Sequence, residues 1–181
     1  LFGLITLITC ALSSCNLGSA INASGDADTV QISMIEIGDT ASFPLVTGEK
    51  CEVLAKCSVD FPESYINAEN TLTLQKLFNN IVLEVEDTLN ANDALNKMAA
   101  NILDQYGVDE QENIEHIDED YEIVFQYANY TNIRTIYNKS EIISFCKTEE
   151  TIKNNKSTMK SSHYLNFDLQ NMSYIDLNQL F

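Results

Sequence analysis

Residues 51–61 restrict the fold more than any other segment, because apolar and polar side chains alternate along them with a single exception. Every second side chain is apolar: Cys51, Val53, Ala55, Cys57, Val59 and Phe61. The side chains between them are polar apart from Leu54. A period of two residues is that of a β-strand with one buried face. This segment therefore predicts a half-buried strand whose inner face must be covered by other elements.

Two amphipathic helices are predicted after this strand. Apolar residues recur at helical spacing over residues 74–85, with Asn70 or Thr71 as the N-cap. They recur again over residues 95–106, in a helix that we expect to begin at Asn92 and end at Gly107.

Further strand patterns flank the pair of helices, while residues 148–162 are polar and predict a loop. The patterns cover residues 30–34, 121–127, 133–137, 142–146 and 163–169. Strands and helices do not alternate, so a parallel doubly wound fold is disfavoured. The sequence predicts an α+β fold, an antiparallel sheet with two consecutive helices packed on one face.

The first residues have the pattern of an export signal. Residues 1–12 carry no charge and match the apolar region of a signal peptide in length, whereas spanning a bilayer requires about 20 residues. Leu12-Ser13-Ser14-Cys15 follows a bacterial lipobox, in which small residues precede a cysteine whose thiol receives lipid. The alternative is a buried N-terminal element in which Cys15 is only a small apolar residue.

The lipobox divides the chain into three parts. We predict a signal peptide at residues 1–14 that lacks its charged start, a polar tether at residues 15–28 attached to lipid through Cys15, and a single α+β domain at residues 29–181. More than one acyl chain on a cysteine gives stable anchoring. The chain ends on Phe181 within a predicted helix, so we expect the domain to be truncated at its C-terminus.

The remaining cysteines allow one disulfide at most. Cys10 leaves with the signal peptide and Cys15 carries lipid, which leaves Cys51, Cys57 and Cys146. Cys51 and Cys57 lie about 20 Å apart along one strand, beyond the ~7 Å limit for a bridge. In an oxidising compartment we therefore expect Cys146 to pair with Cys51 or with Cys57.

Charge and motifs exclude several functions. With 27 acidic and 10 basic residues the net charge is −17, which disfavours binding to nucleic acid.

The S-x-x-K matches at residues 144–147 and 157–160 are expected by chance and lack the accompanying S-D-N and K-T-G motifs. His116 lacks calcium-loop spacing, and His163 lacks a second histidine for zinc. We therefore predict no catalytic residue, metal site or cofactor.

Residues 163–169 (HYLNFDL) and 177–181 (LNQLF) resemble a strand and a helix start in a family of bacterial envelope proteins, with looser similarity at residues 51–61, 74–78 and 121–143. That family shares an extracytoplasmic domain of unknown function. The domain occurs in the lysozyme-sensing anti-sigma factor for sigma-V, beside peptidoglycan deacetylase domains and in Bacteroidetes lipoproteins. The family's Gly-Gly-Ala-His-Gly segment is missing here, and the family domain continues beyond its "D-L-F" residues.

The resemblance and the lipobox together imply a membrane-anchored lipoprotein, in the outer or the plasma membrane, that faces the periplasm or the exterior. We expect a non-catalytic binding module whose partner is a protein or a peptidoglycan-related ligand. The resemblance implies a basic protein such as lysozyme, which a charge of −17 would attract. The alternatives are an accessory or hydrolytic, deacetylase-associated domain acting on envelope glycans, or a structural subunit completed by another chain.

Overall fold

A computed structural model describes residues 29–44, 50–115 and 126–176. In chain order these residues form β1 (Gln31–Pro44), β2 (Lys50–Ser64), α1 (Ala68–Phe78), a π-helical turn (Asn79–Leu83), α2 (Ala91–Glu115), β3 (Gln126–Lys139), β4 (Ile142–Lys153), β5 (Lys156–Asp168) and β6 (Ser173–Ile175). The predicted signal peptide, Cys15 and the tether at residues 15–28 lie outside the described residues. So do His116 and the first part of the predicted strand at residues 121–127.

The six strands form one sheet in chain order. All neighbouring strands pair antiparallel except β2 and β3, which are parallel. A parallel pair needs a long crossover connection, and here α1, the π-helical turn and α2 lie between the two strands in the chain. Helix α1 packs on β2, and α2 packs on β1 and β2. The predicted α+β fold is confirmed, with a mostly antiparallel sheet and one parallel pairing that the sequence did not indicate.

We call the helix-covered side of the sheet the inner face and the opposite side the outer face. The six alternating apolar side chains of residues 51–61 are all buried, at 3% exposure or less, as their period predicted. Phe78 of α1 lies at the centre of the core. Its ring meets that of Phe61 at a centroid distance of 5.3 Å and that of Phe145 at 4.9 Å, both edge to face.

Both helices begin earlier than predicted. Asn67 caps α1, since its side chain accepts a hydrogen bond from the backbone N–H of Asn70 at 2.9 Å. Before α2, the side chain of Asn90 accepts from the backbone N–H of Asp93 at 3.0 Å, so the expected cap at Asn92 is wrong. Asparagine suits both positions because its side-chain oxygen replaces a missing helical acceptor.

Gly107 does not end α2, which continues to Glu115. A Cβ atom at Gly107 would lie 2.9 Å from Cε1 of Phe43 on the edge strand β1, closer than real Cβ contacts come. Glycine at this position lets the helix approach β1, so its role is close packing rather than termination.

The predicted loop at residues 148–162 is wrong, because most of it forms the β4–β5 hairpin. Asn154 and Asn155 make the turn with φ angles of 45° and 62°. Asparagine tolerates this left-handed region and suits the two-residue turns that join antiparallel strands.

The expected disulfide between Cys146 and Cys51 or Cys57 is absent from the structure, in which none of these three cysteines is part of a disulfide. Cys57 pairs in register with Thr131 of β3, and Cys146 pairs with Arg134 on the other side of β3. Two strands that flank a third are about 10 Å apart, beyond the reach of a disulfide.

Candidate functional site

Exposed carboxylates concentrate after the π-helical turn and along α2. Residues 84–115 contain nine acidic residues and one basic residue, Lys97. The exposed acidic side chains described in this stretch, which we call the acidic rim, are Glu84, Glu86, Asp87, Asp93 and Asp104. Exposed carboxylates close to one another make the local electrostatic potential negative and attract a cationic partner.

The π-helical turn fixes the start of the acidic rim. Asn79 is fully buried, and its side-chain nitrogen donates to the carbonyl oxygen of Leu89 at 2.8 Å. The backbone carbonyl oxygen of Asn79 accepts hydrogen bonds from the backbone N–H groups of Glu84 and Val85. Glu84 ends the turn in the left-handed conformation, at φ 57°. These bonds bring the Glu84 carboxylate to the margin of the helical layer.

A cleft of about 270 Å³ opens where the helical layer stops covering β3 and β4. We call it the Lys147 cleft. Its lining combines charged, amide, aromatic and aliphatic side chains: Leu83, Glu84, Met98, Asn101, Ile102, Gln105, Tyr106, Tyr127, Asn129, Lys147 and Glu149.

Lys147 is buried, at 8% exposure. Its ammonium donates to Oε1 of Glu84 at 2.8 Å and lies 3.4 Å from Oε1 of Glu149. Buried charges are tolerated when they are paired in this way. Two carboxylates against one ammonium leave the cleft with a net negative charge.

The walls of the Lys147 cleft differ in chemistry. The rings of Tyr106 and Tyr127 contact each other at a centroid distance of 4.3 Å and form an aromatic wall. The side-chain amides of Asn101 on α2 and Asn129 on β3 supply polar, hydrogen-bonding groups to the lining. The cleft can therefore bind a ligand with both an apolar surface and hydrogen-bonding groups.

Cys57 is completely buried on the inner face. Burial raises the pKa of its thiol to about 11, an effect that nearby Lys147 partly offsets and Glu149 reinforces. A reactive cysteine needs a lowered pKa and access to solvent. Cys57 therefore acts as a small apolar core residue.

The outer face carries a hydrogen-bonded network across three strands. The Arg134 guanidinium donates to the carbonyl oxygen of Ser58 at 2.9 Å and to its hydroxyl at 2.7 Å, and it lies 3.7 Å from the Asp60 carboxylate. The Ser58 hydroxyl donates to Oε1 of Glu36 at 3.1 Å. The network joins β1, β2 and β3 and places two carboxylates around one guanidinium.

A shallow groove of about 450 Å³ lies at one end of the sheet. Its lining includes Leu54, Ala128, Tyr130 and Ile152, all partly buried. None of these four side chains belongs to the Arg134 network.

The structure separates the residues that the sequence analysis weighed for chemistry. Ser144 and Lys147 are both buried, but they are three residues apart on a strand and point to opposite faces. His163 is exposed on β5 and pairs in register with Lys147. Among the described side chains, no three His, Cys, Asp or Glu residues are placed to hold a metal ion.

None of the helices in the described part of the chain has both the length and the apolarity to cross a membrane.

Asp168, within the segment that resembles the envelope family, caps a turn. Its carboxylate accepts from the backbone N–H groups of Gln170 and Asn171, each at 2.9 Å, and from the Asn171 side chain at 2.7 Å. The bonds from Asn171 in particular lower its pKa. They fix the turn between β5 and β6, so the role of Asp168 here is structural.

The Lys147 cleft was missed by sequence reasoning. In the sequence Lys147 stands out as part of an S-x-x-K match, but it also continues the inner-face phase of Ile143 and Phe145, both fully buried. A lysine in phase with buried aromatic and aliphatic residues was the available signal.

No protein-family model matches the sequence, and no curated protein matches it significantly. Among solved structures, a DUF3298 family protein from Bacteroides fragilis superposes with a TM-score of 0.59 and 11% identity, over 84% of this chain and 62% of that chain. A DUF3298 family protein from Pseudomonas aeruginosa has a TM-score of 0.40 and 10% identity, over 85% of this chain and 59% of that chain. This chain thus spans about six-tenths of the length of either protein.

The similarity to the Bacteroides protein shows that the fold is shared with a member of a domain family of unknown function. At the level of the fold, this agrees with the resemblance drawn from residues 163–181.

Proposed function

We propose that this protein is a tethered, non-catalytic binding module of the bacterial cell envelope, and that it binds a basic protein through the acidic rim. The observation that carries the proposal is the charge of residues 84–115, nine acidic residues against one basic residue. Glu86, Asp87 and Asp104 are exposed, and none of them is neutralised by an ion pair among the described residues. Unpaired exposed carboxylates are available to a partner's lysine and arginine side chains.

Charge of this kind acts mainly on the rate of association. It increases the frequency of productive encounters with a cationic surface, over a range set by the Debye length, about 30 Å at 0.01 M salt and about 8 Å at 0.15 M. Binding to a basic protein should therefore weaken steeply as salt is added. Lysozyme is a suitable probe because it is small, soluble and strongly basic.

The test compares two sets of substitutions that remove the same charge. Glu86→Gln, Asp87→Asn and Asp104→Asn neutralise the acidic rim, whereas the control variant Glu52→Gln, Glu63→Gln and Glu141→Gln neutralises exposed carboxylates elsewhere. We expect the rim variant to lower the association rate constant for lysozyme about tenfold at low salt and the control to change it far less. Equal effects would show that only net charge matters, and no binding to either parent or variant would contradict the proposal.

A charge reversal in the opposite direction sharpens this test. Lys97, the only base of residues 84–115, lies four residues after Asp93 and so on the same side of α2. Lys97→Glu should speed association with lysozyme, while Lys56→Glu, which makes the same charge change on the outer face, should have a smaller effect. A larger effect at Lys56 would place the binding surface on the outer face instead.

The envelope location rests on Leu12-Ser13-Ser14-Cys15. We expect the chain, expressed in bacteria behind a complete charged signal-peptide start, to fractionate with membranes and to carry lipid on Cys15 by mass spectrometry. Cys15→Ser should release it, whereas Cys10→Ser, within the segment removed by cleavage, should not. An unmodified Cys15 in the wild-type protein would contradict the anchor.

A further inference from the structure

We propose that the Lys147 cleft binds one neutral sugar ring, or an equally sized polyhydroxylated ligand. This site is distinct from the protein-binding surface proposed above, although Glu84 belongs both to the acidic rim and to the cleft. Three features of the cleft support this assignment: its unused hydrogen-bonding groups, its apolar wall and its size.

The cleft has hydrogen-bond donors to spare. The Lys147 ammonium has three N–H groups and two carboxylate partners, Glu84 at 2.8 Å and Glu149 at 3.4 Å, so at least one N–H group is left for a ligand. Asn129 uses its side-chain oxygen to accept from the Thr131 hydroxyl at 3.0 Å, and its side-chain nitrogen makes no hydrogen bond to the described residues. A ligand with oxygen acceptors would satisfy these partly buried donors.

The cleft also has acceptors to spare, because the carboxylates of Glu84 and Glu149 each offer several lone pairs. Hydroxyl groups both donate and accept, so they can pair with the carboxylates and with Lys147 and Asn129 at once. An anion would be repelled by Glu84, Glu149 and the nearby acidic rim. An apolar ligand would leave the unused N–H groups of Lys147 and Asn129 without acceptors at a free-energy cost.

The aromatic and aliphatic residues supply the second half of a sugar site. Tyr106 and Tyr127 form the aromatic wall, and Met98 and Ile102 line the cleft beside it. The C–H groups of a sugar ring pack well on such a surface, while its hydroxyl groups point to the polar side. The volume of about 270 Å³ is slightly below the ~300 Å³ at which drug-sized pockets begin, which suits one ring rather than a buried chain.

The irregular backbone beside the cleft positions one of its two carboxylates. Glu84 reaches Lys147 because it follows the π-helical turn at the end of α1 in a left-handed conformation.

The experiment is saturation-transfer NMR on the whole chain with N-acetylglucosamine, glucose, inorganic phosphate and lysine amide as separate probes. Asn101 is an exposed position of α2 that lines the cleft, so Asn101→Phe should fill the cleft without disturbing the core. Asn96→Phe is the matched control, because Asn96 is also exposed on α2 and does not line the cleft. Asn129→Ala removes one of the unused donors.

We expect at least one of the two sugars to bind, Asn101→Phe to abolish the signal, Asn96→Phe to leave it unchanged, and Asn129→Ala to weaken affinity about five- to tenfold. Absence of transfer from both sugars, or sugar binding that survives Asn101→Phe, would overturn the proposal. Preferential binding of lysine amide or phosphate would also overturn it, by showing that the cleft selects a charged group. None of these outcomes depends on whether lysozyme binds the acidic rim.

Discussion

On the inner face of the sheet, side chains such as Val59, Phe145 and Ile133 are fully buried and pack against one another or the helices. On the outer face of the same strands, Glu36, Ser58, Asp60 and Arg134 are linked by hydrogen bonds and an ion pair. Apolar burial is worth about 25 cal/mol per Å², whereas an exposed ion pair contributes little. The inner face therefore provides most of the stability, while the outer network fixes how three strands align.

The groups available for binding lie neither in the buried inner face nor in the hydrogen-bonded outer network. Glu84 and Lys147 meet at the margin where the helical layer ends, and Glu86 and Asp87 follow in the exposed connection to α2. A margin can hold charged groups that are partly desolvated yet reachable. The predictions below test the division between the two faces, in decreasing order of expected effect.

The largest effect is expected on the inner face. Phe78→Ala removes a fully buried ring that contacts Phe61 and Phe145, and should destabilise the protein by about 3–5 kcal/mol. Urea unfolding followed by circular dichroism measures this loss. Tyr164→Ala, at an outer-face position that is 63% exposed, should cost less than about 0.5 kcal/mol. Comparable losses for the two variants would break the comparison between the faces.

Alkaline pH should destabilise the inner face through Cys57. Burial raises its pKa from 9.0 to about 11 in the folded protein, so the unfolded chain loses this proton first as the pH rises. The stabilisation is complete below pH 9 and is lost between pH 9 and about 11, by roughly 2–3 kcal/mol.

The measurement is the free energy of unfolding of the wild type and of Cys57→Ala between pH 8 and pH 11. Tyrosine and lysine residues also titrate in this range, so the difference between the two proteins is the relevant quantity. It should shrink as pH rises. A constant difference would mean that Cys57 reaches solvent.

The outer network should give a smaller effect. Arg134→Leu removes two hydrogen bonds to Ser58 and the contact with Asp60, and we expect a loss of about 1–2 kcal/mol because the Arg134 side chain is 42% exposed. Lys56→Met, at an exposed position of the same face outside the network, is the control for loss of a positive charge. A loss as large as that of Phe78→Ala would show that the outer face is a second core.

The parts of the fold that could be predicted are those where one face is apolar. The alternation of residues 51–61 gave β2 and its buried side chains, because burial on one face leaves a period of two in the sequence. Residues 148–162 gave no such signal, since polar side chains occupy both faces of the β4–β5 hairpin there. Its turn at Asn154 and Asn155 was the only local indication.

Other features depend on contacts between distant residues. Gly107 follows the ordinary rule for a helix end, but its role is set by Phe43, which lies 64 positions earlier in the sequence. The parallel pairing of β2 with β3 depends on how the two helices cross the sheet, which periodicity does not encode. The site is similar: the acidic excess could be counted in the sequence, whereas the pairing of Glu84 with Lys147 required the fold.

The most direct test of the proposed function is carbodiimide cross-linking of this protein to lysozyme, with the linked carboxylates identified by mass spectrometry. Carboxylates occur on both surfaces, so the experiment can distinguish them. The account predicts links at Glu86, Asp87 and Asp104, which high salt suppresses. Links confined to Glu36, Glu52 and Glu150 on the outer face, or no links at low salt, would contradict it.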